Sequence, residues 1–315
     1  MYIGIDIGGT KIAAALTAGD LTVVEEARLA TPATQDELLE TLSATIGGLA
    51  MRATEPVLAV GVGVPSMVER PSGRIAMSVN VDLEGVVLAD ELARRTGRTV
   101  VVDNDANVAA LAEHRAGAAR GADAAIILTL GTGVGGGAIV GGELFHGGAG
   151  MGTELGHVVV DAHGPPCPGS CPGSGCLEAY SGGTAVARAA QAAAADDPHG
   201  ALAAAIREHG ADGRVVTDLA REGDPVATRL LTEAGWALGV GMSVLANVFN
   251  PEVFVLGGGM AAAGSLVLDA AEAEYRRRAL PPHAAARIVP AHFGPEAGVL
   301  GAALLAREAV PGTAS

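Results

Sequence analysis

The chain opens on alternation. Residues 2–7 place isoleucine at every second position and run into Gly8-Gly9, and residues 12–17 and 22–30 read as two further strands. Strands joined by a tight Gly turn predict an N-terminal β-meander. The period then changes. Leu38, Leu39, Leu42, Ile46 and Leu49 recur at three- and four-residue spacing, which predicts a helix over 35–52. A buried strand at 57–64, a helix at 88–96, a short strand at 99–103 and a helix at 107–120 follow.

At residue 124 the pattern restarts. An apolar strand over 124–130 ends in Gly131-Thr132-Gly133, and a Gly-rich strand follows at 134–140. Strand, Gly/Thr turn, strand is also how the chain begins, so the sequence predicts a duplicated α/β fold with a cleft between its halves. Residues 146–183 are rich in Gly, Pro and Cys and have no period. A loop of that length in a compact protein is functional or disordered. Helices are expected at 184–195, 200–208 and 224–249, then a strand at 253–256 running into Gly257-Gly258-Gly259, a helix at 264–278, a strand at 287–291 and a last helix at 296–307.

Length and charge narrow the function. A chain of 315 residues is long for one core and predicts two domains. The net charge of -15 repels nucleic acid and anionic membranes, so neither is an expected partner. No unbroken apolar run reaches spanning length. The first residues read as a strand rather than a secretion signal, so a soluble, cytoplasmic protein is expected. Lys11 is the only lysine; arginine carries nearly all the other positive charge.

Five stretches carry chemistry. In Asp6-Ile7-Gly8-Gly9-Thr10-Lys11 a Gly pair lets backbone N–H groups approach an anion. Thr10 adds a hydroxyl, Lys11 a point charge, and Asp6 could hold Mg2+ through water. The order Gly-Thr-Lys is not a Walker A loop, and a plain hairpin turn would read the same way. Gly131-Thr132-Gly133-Val134-Gly135-Gly136-Gly137 contains G-x-G-x-x-G formally. The next residues continue as strand rather than opening a helix, so a dinucleotide fingerprint is excluded and a phosphate cradle fits. Gly257-Gly258-Gly259 lets a flat ligand such as adenosine approach, or simply makes a tight turn. Asp103-Asn104-Asp105-Ala106-Asn107 lies at a strand-to-helix junction. Asp105 could accept a hydroxyl proton in phosphoryl transfer, with Asn104 binding neighbouring hydroxyls; an Asp/Asn helix cap has the same residues. Finally, His157, Cys167, Cys171 and Cys176 follow H-x9-C-x3-C-x4-C, a ligand set for structural Zn2+ or else three free thiols and a surface histidine. Glu154 and Glu178 flank that cluster, placed to accept hydrogen bonds from sugar hydroxyls.

Taken in this order, the motifs resemble the ROK family of bacterial sugar kinases and repressors, within the actin-like ATPase superfamily. The resemblance is carried by residues 4–11, Gly61-Val62-Gly63-Val64-Pro65, Asn104-Asp105-Ala106-Asn107, residues 131–137, Glu154-Leu155-Gly156-His157, Gly175-Cys176-Leu177-Glu178 and Gly257-Gly258-Gly259. It implies an actin-like (ribonuclease H-like, duplicated) α/β fold of two lobes. The lobes would be 1–105, completed by a C-terminal helix at 296–315, and 106–295 with the loop 146–183. It implies an ATP-dependent hexose kinase with Asp105 as base for the sugar 6-hydroxyl. Asn104, Glu154, His157, Glu178 and Ser66 would touch sugar. Asp6, Gly8–Lys11, Gly131–Gly133, Gly257 and Gly258 would hold Mg-ATP. His157 would serve both zinc and sugar.

This chain departs from the family pattern in three places. The usual C-x-C-x4-C is two residues longer here, which leaves His163 as an alternative to Cys167 at the metal. Ser66 replaces the usual Gly after Pro65, and Glu296 stands where Asp is usual. Family repressors carry a DNA-reading segment before the first strand, whereas here the strand starts at residue 2. A kinase is therefore expected over a repressor, and also over a sugar-sensing or assembly protein, which would not need Asp105, Lys11 and the phosphate loops together. Relatives using polyphosphate typically lack the cysteine cluster, which favours ATP. Glucose is the default sugar, with N-acetylglucosamine, N-acetylmannosamine, mannose, allose and fructose as alternatives, and a homodimer or homotetramer is implied.

Overall fold

The computed structural model describes residues 1–78 and 80–312; the stretch 313–315 of the expected C-terminal helix lies outside the described residues. The first half runs β1 (Tyr2–Ile7), β2 (Lys11–Thr17), β3 (Val23–Ala30), α1 (Gln35–Met51), β4 (Ala59–Val64), β5 (Ser66–Val68), β6 (Ile75–Ser78), α2 (Leu88–Thr96), β7 (Val100–Asn104) and α3 (Asp105–Arg115). The second runs β8 (Ala124–Leu130), β9 (Val134–Val140), β10 (Glu143–Leu144), α4 (Glu178–Ser181), α5 (Gly183–Asp196), α6 (Ala201–His209), α7 (Gly213–Arg221), α8 (Pro225–Phe249), β11 (Val253–Gly257), α9 (Ser265–Arg278), β12 (Arg287–Pro290) and α10 (Ala297–Glu308).

The expected duplication is visible as topology. One five-stranded sheet has the order β3-β2-β1-β4-β7 and the other β10-β9-β8-β11-β12. In each, the first three strands in sequence pair antiparallel and the last two join parallel to the first. Two separate cores result. Ile3, Ile5 and Ile7 of β1 and the valines of β4 pack against the leucine stripe of α1 and Leu88 and Leu92 of α2. In the other, the apolar residues of β8 and β11 pack under α8, whose inner face is largely Ala, Leu and Gly.

Small residues decide how α10 sits. A methyl on Gly4 or Gly61 would collide with the carbonyls of Val299 or Ala302, and one on Gly301 with the carbonyl of Val108. The helix therefore lies directly on β1 and β4 and crosses α3 at backbone contact. This clamps α3, whose first residue is Asp105, from behind.

Three local features differ from the sequence reading. The helix expected over 107–120 is α3, shifted towards the N-terminus. Asn104 Oδ1 accepts from Ala106 N and Asn107 N to start it early, and the buried Glu113 carboxylate takes Ala118 N–H at 2.9 Å beyond its end. The stretch between the expected helices at 200–208 and 224–249 holds α7, capped by the Asp212 side chain on Arg214 N, where neighbouring glycines hide the period. The hairpin β5–β6 was not anticipated, because its strands are only three and four residues long.

Candidate active site

Asp105 stands at the junction between β7 and α3, half-buried. Its Oδ1 accepts the Ala106 N–H at 2.8 Å. Gly63 separates it from Asp6: an added Cβ there would lie 3.5 Å from Asp105 Cα and 3.6 Å from Asp6 Oδ1. Burial, then the charge of Asp6 and that of Glu154, push Asp105 up to about 7. Burial alone pushes Asp6 up to about 6. Two carboxyls that resist ionisation, one on β1 and one just after β7 with Gly63 of β4 between them, form a site that favours a cation or a proton.

Asn104 is largely engaged by the protein itself. Its Oδ1 caps α3, and Nδ2 donates to the Ser66 carbonyl at 3.3 Å, leaving one amide hydrogen for a ligand. Ser66 is buried, with its hydroxyl 2.8 Å from Ser78 Oγ, and Ser78 donates to Val81 O. The Ser78 proton being committed, Ser66 donates to Ser78 and keeps lone pairs to offer.

Glu154 and His157 come from the turn Leu155–His157, which packs so closely on β9 that a methyl on Gly156 would strike Val134 O. Glu154 is raised by burial and by Glu178, against a lowering by His157. Glu178 starts α4, and one of its oxygens accepts from Val134 N at 2.8 Å. Glu154 thus links the group electrostatically, acted on by His157 and Glu178 and itself acting on Asp105, although these residues arise from α3, a turn and α4.

The zinc expectation meets a definite geometry. One ligand atom each from His157, Cys167, Cys171 and Cys176 lies within 4.8 Å of every other, and Cys167 Sγ is 3.5 Å from His157 Nδ1. A tetrahedral Zn–S bond of about 2.3 Å sets donor atoms about 3.8 Å apart, so this set fits zinc. Burial, then the neighbouring Cys176 and Cys171, push the Cys167 thiol up, so thiolates gathered here call for a cation. His163 lies outside the group, its N–H donating to Asp161 Oδ1.

The two Gly/Thr turns are equivalent positions of the two sheets. Gly8 N–H is bound to Lys11 O and Gly131 N–H to Gly133 O, so neither is presented outwards. Lys11 is exposed. Behind the second turn lies a cavity of about 420 Å³, lined in part by Thr132, Thr184, Asp212, Arg214, Gly259 and Met260. Gly131 also lines it; Gly257 and Gly258 do not, as Gly258 backs onto the Leu130 carbonyl. Gly183 N–H and Thr184 N–H bind the carbonyls of Gly131 and Thr132, tying α5 to the turn. The sequence reading missed Thr184, Asp212 and Arg214; the Asp212-Gly213 step that caps α7 was the available signal. Asp103, part of the motif at 103–107 but given no role by the sequence reading, is buried and bound to Arg70 and His146.

The sequence pattern of the ROK family matches residues 2–309. The chain belongs to the ROK family. It is 36% identical over 318 residues to a glucokinase of Streptomyces coelicolor, covering 99% of both chains. It is 34% identical over 322 residues to a glucokinase of Thermotoga maritima, covering 98% of both. A ROK family glucokinase from Streptomyces griseus, solved in complex with glucose and AMPPNP, superposes with a TM-score of 0.84 at 36% identity, covering 98% of this chain and 99% of that one. The fold of this ROK protein is accordingly the duplicated actin-like ATPase fold expected above. Among the described residues no helix is long and apolar enough to cross a membrane.

Proposed function

We propose that this ROK protein transfers the γ-phosphoryl group of Mg-ATP to the 6-hydroxyl of D-glucose, releasing ADP and glucose 6-phosphate. The observation that carries the reading is the placement of Asp105 at the start of α3 across Gly63 from Asp6, where burial pushes its carboxyl up to about 7. In the proposed reaction its carboxylate accepts the 6-hydroxyl proton as that oxygen bonds to phosphorus and the bond to the ADP oxygen breaks. The full-length similarity to glucokinases supports glucose as the sugar.

The other roles follow from placement. The remaining amide hydrogen of Asn104, the Ser66 lone pairs, Glu154, His157 and the second oxygen of Glu178 are assigned to sugar hydroxyls. Asp6 would hold Mg2+ through water, which supplies positive charge beside the phosphates. Gly9, Thr10 and Lys11 face the phosphates from one lobe (1–105 with α10), and Thr132 and Gly133 from the other (106–295). The cavity beside Thr184 and Met260 takes the nucleoside. His157, Cys167, Cys171 and Cys176 would hold Zn2+, which orders the loop carrying Glu154 and Glu178 and takes no part in the chemistry. Three free cysteines and an ATP requirement fit the cytoplasm.

The test is ADP release from Mg-ATP across glucose, mannose, fructose, allose, N-acetylglucosamine and N-acetylmannosamine. Glucose is expected to give the highest kcat/KM. Turnover confined to another sugar overturns the glucose assignment, and silence across the panel overturns the kinase.

A further inference from the structure

Asp103 has 1% of its surface exposed, and burying a carboxylate is costly unless donors surround it. Here four do. Oδ1 accepts from Asn104 N at 2.8 Å and Asn107 Nδ2 at 3.0 Å. Oδ2 takes Arg70 at 2.6 Å and His146 Nε2 at 2.7 Å. Burial would raise this acid, but the bond and charge of His146, the bond from Asn107 and the charge of Arg70 outweigh it and hold Asp103 below its ordinary value. The donors come from three separate segments: the start of α3, the turn between β5 and β6, and the loop after β10.

The same segments are tied a second time. Arg70 N–H donates to Ala149 O at 2.8 Å, and Gly150, at a φ of 85°, lies so close that a side chain there would strike Arg70. The network also runs on to the sugar-facing turn. Asn107 Oδ1 lies 3.1 Å from Thr153 Oγ1, and Thr153 holds a left-handed φ of 68° immediately before Glu154. A β-branched residue takes that conformation only when its surroundings enforce it. One carboxylate therefore connects the strand end bearing Asn104 and Asp105 with the loop bearing Glu154, through the hairpin that carries Ser66.

We propose that Asp103 is a positioning residue: held by Arg70 and His146, it locks the β5–β6 turn and the 146–154 loop onto the catalytic strand end and thereby sets affinity for the sugar. The inference rests on the hexose kinase reading above. A sugar that needs Asn104 and Glu154 at fixed separation binds well only while the lock is closed, whereas the base itself, in the first turn of a clamped helix, stays in place.

Asp103→Asn is the selective probe. Its amide oxygen still accepts from Asn104 and Asn107, but its amide nitrogen cannot accept from Arg70 or His146. Arg70→Met removes one partner while His146, Asn104 and Asn107 still serve the carboxylate, and Arg70→Lys restores a charge and one donor. Steady-state kinetics should show glucose KM raised about tenfold or more in Asp103→Asn and Arg70→Met, with kcat within about threefold, ATP KM unchanged and partial recovery in Arg70→Lys. A lowered melting temperature with glucose KM within about twofold of wild type in both variants overturns the inference and leaves the kinase reading intact. An equal rise in glucose KM and ATP KM also overturns it. A wild-type protein inert towards every hexose overturns both.

Discussion

Asp105 has to be ionised to take a proton, yet its surroundings keep the proton on. Burial is the largest cause, the neighbouring Asp6 charge the next, and Glu154 a smaller one. The base form appears as pH rises through about 7, so kcat/KM for glucose should fall tenfold per pH unit below that point and level off above it. Asp105→Asn should keep the fold and sugar binding but lower kcat by about a hundredfold to ten-thousandfold. Initial rates across pH, with sugar binding measured calorimetrically on the variant, check both; near-normal turnover by the variant excludes Asp105 as base. Asp105 was legible because few residue types can accept a hydroxyl proton and this one stands where a strand meets a helix. Asp103, two places earlier, was not. Nothing local says that it is buried, or that Arg70 and His146, 33 and 43 positions away, converge on it.

Elements were legible where a period had room to repeat. The leucines of α1 and the alternating isoleucines of β1 face single cores, and burial imposes the period that the sequence displays. The hairpin β5–β6 offers too few residues to show one. The aperiodic stretch 146–183 is ordered by other means. Bridges pair Val159 with Cys176 and Pro166 with Ser174, and Gly175 is pressed against Asp161 O at a φ of 68°. The His/Cys group lies among these ties, its His157 three residues after Glu154 and its Cys176 two before Glu178. Cys167 joins that group despite the unusual spacing, because the Pro166–Ser174 bridge folds the longer insertion back on itself. Protein purified without added metal should contain one zinc per chain by elemental analysis. Stripping the metal with a chelator should lower the melting temperature and raise glucose KM, and Cys171→Ser should lower zinc content. Zinc-free protein with three freely titrating thiols removes the site.

At the scale of the molecule, the repeated opening was legible because two sheets of one topology need the same strand–turn–strand start. The role of α10 was not legible, because small residues give no periodic signal of the backbone contacts they permit at Gly4, Gly61 and Gly301. The proposed ligand contacts divide between the two sheets. Asn104 ends β7 of the first, Asp105 follows it as the first residue of α3, and Ser66 lies in the separate β5–β6 hairpin, whereas Glu154, His157 and Glu178 pack on β9 of the second. The Asp103 network already holds the loop 146–154 beside Asn104 and Asp105, so closure would draw His157, Glu178 and β9 in on that joined group. A sugar touching both gains its full set of contacts only in the closed form, and that difference shifts the population towards it. Closure also keeps water from the γ-phosphate, the alternative acceptor for which a kinase must not react. Saturating glucose without nucleotide should therefore reduce the radius of gyration measured by small-angle scattering. Asp105→Asn, which still binds sugar, should compact as wild type does, whereas Glu154→Gln, which loses a contact from one side, should need more glucose to do so. Scattering curves that coincide with and without saturating glucose mean that the two sheets are fixed relative to one another, and that water is excluded by the loop 146–154 alone.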